Sequence, residues 1–291
     1  MATSSVSGID TELIIQSYLT VWRQKYITPL ESEKETKQTE KNSLTTLSNY
    51  LSSFKTKNLS FLSGTTFLAK AATSSDEATL TAAADMTAVN GIYNVTVNQL
   101  AQLQKVASNQ FTAANTDIIT AEGAGVKTFR ISINGTDTDI NVTLNAGDTN
   151  EQVLTSIANA INASGAEANA IVVNETGTSS RLVISTKETG LANAMTIQDL
   201  AGSVMLNAGV IDGGSAIQNE LQPAQDALFS VDGLNFQRSS NTVSDAIIGT
   251  TLQLLKGAGA TSTVTVSTDS SSITEKLQDY ISGYNTLIGY V

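Results

Sequence analysis

The sequence predicts an α+β fold: a helical, coiled-coil-like leg formed by both chain ends, with a β-rich two-domain head of hairpins and short helices inserted between them. Three patterns in the 291 residues carry that prediction. Leu44, Leu47, Leu51, Phe54, Asn58 and Phe61 recur at alternating spacings of three and four, the heptad seam of a helix that pairs with another helix. Ile273, Leu277, Tyr280, Tyr284, Leu287 and Val291 repeat the pattern at the opposite end. Between the two seams the hydrophobic period shortens from that of a helix to that of a strand.

Taken alone, residues 44–61 fit an ordinary amphipathic helix on a core equally well; the second seam is what favours a pair. Neither helix is long enough to be stable by itself in water. Burying a large seam residue contributes roughly 1.5–3 kcal/mol, against about 1–2 kcal/mol per residue for ordering the backbone. Each helix therefore needs a partner. Leu44, Leu47, Leu51, Phe54, Leu277, Tyr280, Tyr284 and Leu287 are the residues expected to form the packing surface. The second seam is still in register at Val291, so its partner is expected to lie partly beyond that residue.

Ahead of the first seam, Asp10 or Thr11 is a plausible N-cap for a helix carrying Ile14, Tyr18, Val21 and Trp22. Pro29 breaks or kinks that helix, and the charged stretch 31–43 reads as solvated or frayed. The second seam opens after a Ser-rich, capping-competent run at 270–272.

The head begins with Tyr93, Val95 and Val97 alternating, continued by Leu100, Leu103 and Val106. Residues 129–144 read as a hairpin about Asn134-Gly135, with Phe129, Ile131 and Ile133 on one arm and Ile140, Val142 and Leu144 on the other. A helix follows, with Asp148 and Glu151 as a variant capping box, a stripe of Val153, Leu154, Ile157 and Ile161, and Gly165 as its stop. A second hairpin runs through Ile171 and Val173, a "TGTSS" turn, then Leu182 and Ile184. Residues 190–225 are rich in Ala, Gly and Asn and poorly patterned. Then Phe229, Val231, Asp232-Gly233, Leu234 and Phe236 form a third hairpin signal, and "TTLQLL" and "STVTVS" two further strands.

"RSSNT" (238–242) is the densest polar cluster. With one Arg and no glycine-rich loop after a strand it is not a phosphate cradle. Ser239, Ser240 or Asn241 is expected to cap a short helix over "TVSDAII", ended by Gly249. Asp137 and Asp139 flank a hairpin turn, where solvation is their plain role. "DTD" lacks the other ligands of a calcium loop, and no carboxylate pair is set across a cleft as glycoside hydrolysis requires.

Composition narrows the function classes. The chain has no cysteine and no histidine, which removes thiolate chemistry, disulfides and the commonest general base and metal ligand. No enzyme activity, cofactor or metal is expected. The formal charge is −11, and residues 71–291 hold eight Lys/Arg against twenty-one Asp/Glu. So acidic a body is unsuited to nucleic acid. No apolar run reaches the length of a membrane span, and the N-terminus lacks the basic and apolar regions of a cleavable signal peptide.

At this point the residues carry a resemblance. "SGIDTELIIQSYLTVWRQKYITPLESEKE" resembles the N-terminus of the bacterial flagellar filament cap (hook-associated protein 2) family, and "YNVTVNQLAQLQKVASNQF" is similar to that family's first head segment. "DALFSVDGLNFQRSSNTVSDAIIGTTLQLL" is the most specific match. "AGDTNEQVLTSIANAINASG" through "RLVIST" resembles an insertion shared by flagellins and hook-associated proteins. Family members continue through a longer C-terminal helical region.

The resemblance implies an extracellular structural protein at the filament tip, exported through the flagellar type III apparatus with its chaperone. It implies a self-assembled ring, pentamer or hexamer, that retains exported flagellin on the filament end and promotes its folding and insertion. Residues 1–40 would be the export and filament-contact segment, and 41–65 with 271–291 the leg, its seam residues doubling as the oligomer interface. Residues 66–112 with 226–270 would form the first head domain and 113–225 the inserted second. The alternatives are a surface adhesin whose acidic head binds mucin or a host ligand, and another axial protein (a flagellin or junction protein).

Overall fold

The computed structural model describes residues 10–62 and 65–291, and of residues 60–62, 65 and 66 the backbone alone. The chain divides into two units, Met1–Ala69 with Asp269–Val291 and Lys70–Thr268.

The first unit is helical. α1 (Thr11–Tyr26) starts at Asp10, whose carboxylate accepts the Leu13 N–H at 3.1 Å. It ends at Ile27, and α2 (Thr28–Leu62) begins at once with Pro29 in its first turn. That is the position where the missing proline N–H costs nothing. The charged stretch 31–43 is helical throughout and exposed, so it is solvated rather than frayed. Its ladder is reinforced by Lys37 and Glu40 at 3.0 Å. α6 (Ser270–Tyr290) closes the unit, capped by Asp269, which accepts the Ser272 N–H at 2.9 Å. The cap is thus one residue ahead of the serine run, where a carboxylate also meets the positive end of the helix dipole.

The second unit is built of antiparallel sheets around two hydrophobic cores. In chain order it contains β1 (Lys70–Ser74), β2 (Leu80–Ala84), β3 (Gly91–Gln99), β4 (Lys105–Ala107), β5 (Phe111–Thr112), α3 (Asp117–Glu122), β6 (Gly125–Ile133), β7 (Thr136–Leu144), α4 (Asn150–Ala163), β8 (Ala168–Thr176), β9 (Ser179–Thr186), β10 (Met195–Ala201), α5 (Val204–Asn207), β11 (Asn219–Gln222), β12 (Ala227–Val231), β13 (Leu234–Arg238), β14 (Thr242–Ile247), β15 (Thr250–Leu254) and β16 (Ala260–Thr268).

One core lies between a five-stranded sheet, β1-β16-β3-β12-β13, and a three-stranded sheet, β14-β15-β2. Val95, Val97, Phe229, Val264 and Val266 point inward from the first, and Leu80, Val243, Leu252 and Leu254 from the second. The other core is enclosed by β10-β6-β7, by the sheet of β4, β5, β8, β9 and β11, and by α4, which contributes Val153, Leu154, Ile157 and Ile161. β4 and β5 pair with β9, and Val106 joins this second core. The stretch 105–112 therefore packs with the inserted segment rather than with β3, because Val106 buries its side chain opposite Ile184.

Two hairpins turn where the sequence places them. Asn134 and Gly135 have φ of 49° and 75°, and Asp232 and Gly233 have 48° and 83°, the paired left-handed conformations of a tight primed turn. Other expectations need correction. The capping box of α4 is Thr149 with Gln152, not Asp148 with Glu151; Asp148 instead accepts the Asn145 N–H at 2.7 Å. In β8 the buried side is Ala168 and Ala170, while Ile171 is exposed. α4 sits close over this strand, Asn162 exchanging two bonds with the Ala170 backbone at 2.8 and 2.9 Å, and small side chains admit it. The unpatterned 190–225 stretch contains β10, α5 and β11, and β10 places Met195 and Ile197 in the core beside β6.

The expected helix over "TVSDAII" is strand β14, paired with β15. Its β-branched residues favour an extended chain, Val243 and Ile247 are buried, and a register shift between them bends the strand. Gly249 ends no helix; it makes the β14–β15 turn at φ 67°, and a Cβ there would strike the Ala88 backbone. Gly249→Ala is therefore expected to lower the unfolding free energy by roughly 2–4 kcal/mol, read from the urea midpoint, since both the dihedral and the contact oppose it.

Candidate functional site

The pairing of α2 with α6 brings together segments as far apart in the sequence as Ser43 and Tyr290, and it runs antiparallel. The Tyr290 hydroxyl donates to the Ser43 carbonyl at 2.8 Å, the Tyr50 and Tyr290 rings lie 5.1 Å apart, and Phe54 stacks obliquely on Tyr280 at 5.5 Å and Tyr284 at 6.2 Å. Such ring pairs contribute about 0.5–1.5 kcal/mol each beyond the area they bury. Gly283 permits the close approach: a Cβ there would already touch Phe54 and Lys57 at 3.4 and 3.3 Å.

Of the eight expected packing residues, Leu47, Phe54, Tyr280 and Leu287 are half-buried. Leu44, Leu51, Leu277 and Tyr284 remain 67, 49, 44 and 48 % exposed. The contact stripe is rotated by about one position on each helix, taking in Tyr50 on α2 and Gly283 and Tyr290 on α6. Tyr50 was findable, since it lies three residues after Leu47 and four before Phe54. The four exposed members join Ile281 and Ile288, 47 and 54 % exposed, as an apolar margin along the helix pair. The side chain of Phe61 lies outside the described residues, as do residues 1–9.

The polar clusters singled out in the sequence are structural. Asn241 accepts the Ala101 N–H at 2.7 Å and donates to its carbonyl at 2.9 Å, tying the strand corner to the loop after β3. Arg238 is satisfied by Asp245 at 2.9 Å and lies over the Phe236 ring. Asp137 and Asp139 do more than meet water: Arg130 donates to them across the hairpin at 3.0 and 2.6 Å. Glu122 is a buried carboxylate held by Lys127 at 3.2 Å and by Ser203 N–H. An apolar recess of about 390 Å³ between Tyr93, Phe236 and Ile247 carries a single carboxylate, Asp232, which accepts the Asn94 N–H.

The exposed carboxylates of these pairs set the acid limit. The Arg130 hydrogen bond holds Asp139, and the Arg238 hydrogen bond holds Asp245, below the ordinary 3.8. Asp76 and Asp85 are lowered by the hydroxyls of Thr79 and Thr87. Groups depressed in the fold stabilise it above 3.8 and lose that contribution as pH falls through their folded values. Asp199 acts oppositely: burial raises it, so ionisation disfavours the fold and acid relieves the cost. Urea midpoints are expected to be level above about pH 5 and to fall below about pH 4, where four lowered carboxylates outweigh one raised.

Among the described residues no cluster of metal-ligating side chains occurs, and no helix is long and apolar enough to cross a membrane. Comparison with known proteins bears on the helix pair directly. The sequence model of the flagellar hook-associated protein 2 N-terminus matches residues 7–104, and that of its C-terminus matches residues 224–291. The chain is 30 % identical to the A-type flagellar hook-associated protein 2 of Pseudomonas aeruginosa over 77 % of this chain and 48 % of the relative. It is 29 % identical to the flagellar hook-associated protein 2 of Escherichia coli strain K12 over 97 % and 59 %. The chain thus spans about half the length of the curated relatives it matches.

Its structure is similar to the D1-D2-D3 domains of the flagellar cap protein FliD from Escherichia coli, at TM-score 0.73 and 28 % identity, covering 86 % of this chain and 68 % of that one. FliD of Pseudomonas aeruginosa PAO1 is similar at TM-score 0.57 and 26 % identity, over 73 % and 95 %. The two terminal family matches fall on the two stretches that supply α2 and α6, and together they cover more than half of the sequence. The chain belongs to the flagellar hook-associated protein 2 family, the flagellar cap proteins.

Proposed function

We propose that this chain is the structural cap of a bacterial flagellar filament, working by shape and reversible contact rather than by catalysis. In this reading it is exported through the flagellar type III apparatus with a chaperone. Outside the cell it assembles with copies of itself into a ring of five or six at the filament tip, retains exported flagellin there and promotes its folding and insertion. Residues 41–65 and 271–291 are the leg. The head divides into two domains, one holding the core of β3, β12 and β16 and the other the core of β6, β7 and α4.

The observation that supports the reading is the antiparallel union of α2 and α6, which makes one stem from two stretches that flank the β-rich body in the sequence. Leu44, Leu51, Leu277 and Tyr284 on its apolar margin are the proposed contacts to the next copy or the filament, while Leu47, Phe54, Tyr280 and Leu287 hold the stem together.

Leu51→Asp places a charge on that margin without entering the ring stack. Returned to a cap-deficient strain, the gene with Leu51→Asp is expected to leave cells non-swimming, with flagellin accumulating in the medium as monomer. Normal swimming with this variant, at normal expression, removes the margin from the mechanism.

A further inference from the structure

The sandwich around the first core is open along one side. β13 is the last strand of the five-stranded sheet and β14 the last of the three-stranded sheet, and the two do not pair with each other. Leu234 stands opposite Val231 and Phe236 opposite Phe229, so both β13 side chains face the core. Phe236 stacks on Phe229 at 5.3 Å, yet Leu234 is 68 % exposed. In front of it lies the recess of about 390 Å³ floored by Tyr93, Phe236 and Ile247, with Ile248 and Val89, 75 and 60 % exposed, on its rim. Leu234, Ile248 and Val89 are three of the five large apolar side chains in Lys70–Thr268 that are at least 60 % exposed, which makes this opening the main apolar feature of that surface. Farther along, Arg238 of β13 bridges to Asp245 of β14 at 2.9 Å and shuts the seam.

We propose that this seam binds an extended segment of another protein, which pairs with β13 as an added strand, seats apolar side chains in the recess and sets a Lys or Arg against Asp232. The free edge supplies the pairing. The two-residue turn closes on Val231 and Leu234 as a bonded pair, and bonded pairs alternate, so Asn235 and Gln237 aim their N–H groups away from β12. Neither N–H has a partner among the described residues. Edge strands are commonly guarded by Lys, Pro or a bulge; the Leu234–Asn235 end of β13 has none of these. The recess sits at the low end of ligand pockets, which run about 300–1,000 Å³, so it suits side chains better than a cofactor. Charge selects the occupant. Among the described residues Asp232 is the one charged side chain lining the recess; its Oδ1 accepts the Asn94 N–H at 2.8 Å, and it forms no ion pair. Residues 70–268 hold eight Lys/Arg against eighteen Asp/Glu, so the surroundings draw a cationic segment and repel a second copy of the chain. The inference goes beyond the cap reading and does not rest on it, since it is tested by peptide binding alone.

The experiment is fluorescence anisotropy of a dye-labelled hexapeptide, TITLTK, titrated with the full chain at low salt. Extended, the peptide carries its Ile, Leu and Lys on one side. It is expected to bind saturably, and more weakly as salt is raised. TITLTE is expected to bind about threefold or more weakly, and TTTTTK not at all over the same range. Asp232→Asn, which the left-handed turn tolerates, is expected to abolish the preference for TITLTK over TITLTE. Leu234→Ser/Ile248→Ser strips the apolar rim, and Asn235→Pro removes an edge donor at a position where proline is tolerated. Each is expected to weaken TITLTK binding about tenfold or more. Val126→Ser, equally exposed on β6 beside the other core, is expected to leave it unchanged. Melting followed by circular dichroism verifies that each variant is folded. No saturable binding of TITLTK, equal binding of TITLTE by the wild-type chain, a preference that survives Asp232→Asn, or undiminished affinity in the Leu234/Ile248 or Asn235 variants would each overturn the proposal. So would release of the peptide at high chain concentration, which would give the seam to a second copy.

Discussion

Phe54→Asp is expected to separate α6 from α2 and to melt α6, with loss of helical circular dichroism and no change in the unfolding of Lys70–Thr268. The size follows from what the ring touches. Phe54 meets Tyr280 and Tyr284 at 5.5 and 6.2 Å and packs against the space left by Gly283. Losing the two ring contacts and the half-buried area costs roughly 2–4 kcal/mol, before the aspartate's own desolvation is added. Against this stands the weak intrinsic stability of a lone α6, which has 21 residues and an uncompensated apolar side. The pairing has little in reserve. Leu44→Asp is the control: at 67 % exposure it lies outside the stack, and its effect should stay within about 0.5 kcal/mol. Should Phe54→Asp keep the full helical signal, the stem is held by something other than the aromatic seam, and the proposed tip role loses its mechanical basis.

The two seams were legible because a helix that must pair writes its partner's direction into its sequence, but the reading carried a rotational error. A heptad of Leu44, Leu47, Leu51 and Phe54 marks a stripe wider than the contact line. Nothing in the pattern says whether Leu51 or Tyr50 sits at the centre; Tyr290 and Gly283 on the other helix decide it. Hairpins at Asn134-Gly135 and Asp232-Gly233 were legible for a different reason, that few residues adopt the paired left-handed turn. Strand β14 reads as a helix because Val243 and Ile247, four apart, satisfy a helical period as well as the two-residue period of a strand, and nothing in the sequence marks the register shift between them. Ile171 and Val173 carry the hydrophobic signal of β8, yet the closeness of α4 reserves the inner side for Ala168 and Ala170. β1 and β2 went unseen for the same reason: Ala72, Ala82 and Ala84 line the core with side chains too small to show a period.

Phe129→Ala and Phe229→Ala are expected each to cost about 3–5 kcal/mol, the usual range for emptying a fully buried aromatic site. Phe129 is 0 % exposed in the middle of β6, between β7 and β10, and Phe229 is 1 % exposed in β12, stacked on Phe236 at 5.3 Å. The informative quantity is where each loss is felt. The two cores share no buried hydrophobic residue. The bonds that join them include those between the Gln102 and Gln225 backbones at 2.7 and 3.1 Å, Gly190 N–H to the Gln102 carbonyl at 3.1 Å, the Thr189 hydroxyl to the Ser239 carbonyl at 2.6 Å and Leu191 N–H to Asp226 at 2.7 Å. Bonds of this kind contribute about 0.5–1.5 kcal/mol each, less than either core stands to lose. If the head consists of two domains that open separately, Phe129→Ala should accelerate amide exchange in β6, β7, β9 and α4 by about two to three orders of magnitude while β3 and β16 keep their protection. Phe229→Ala should do the reverse. Equal acceleration of both sets by either variant would mean that the polar joint transmits the full loss, that the head opens as one body, and that the division into two domains describes its packing but not its energetics.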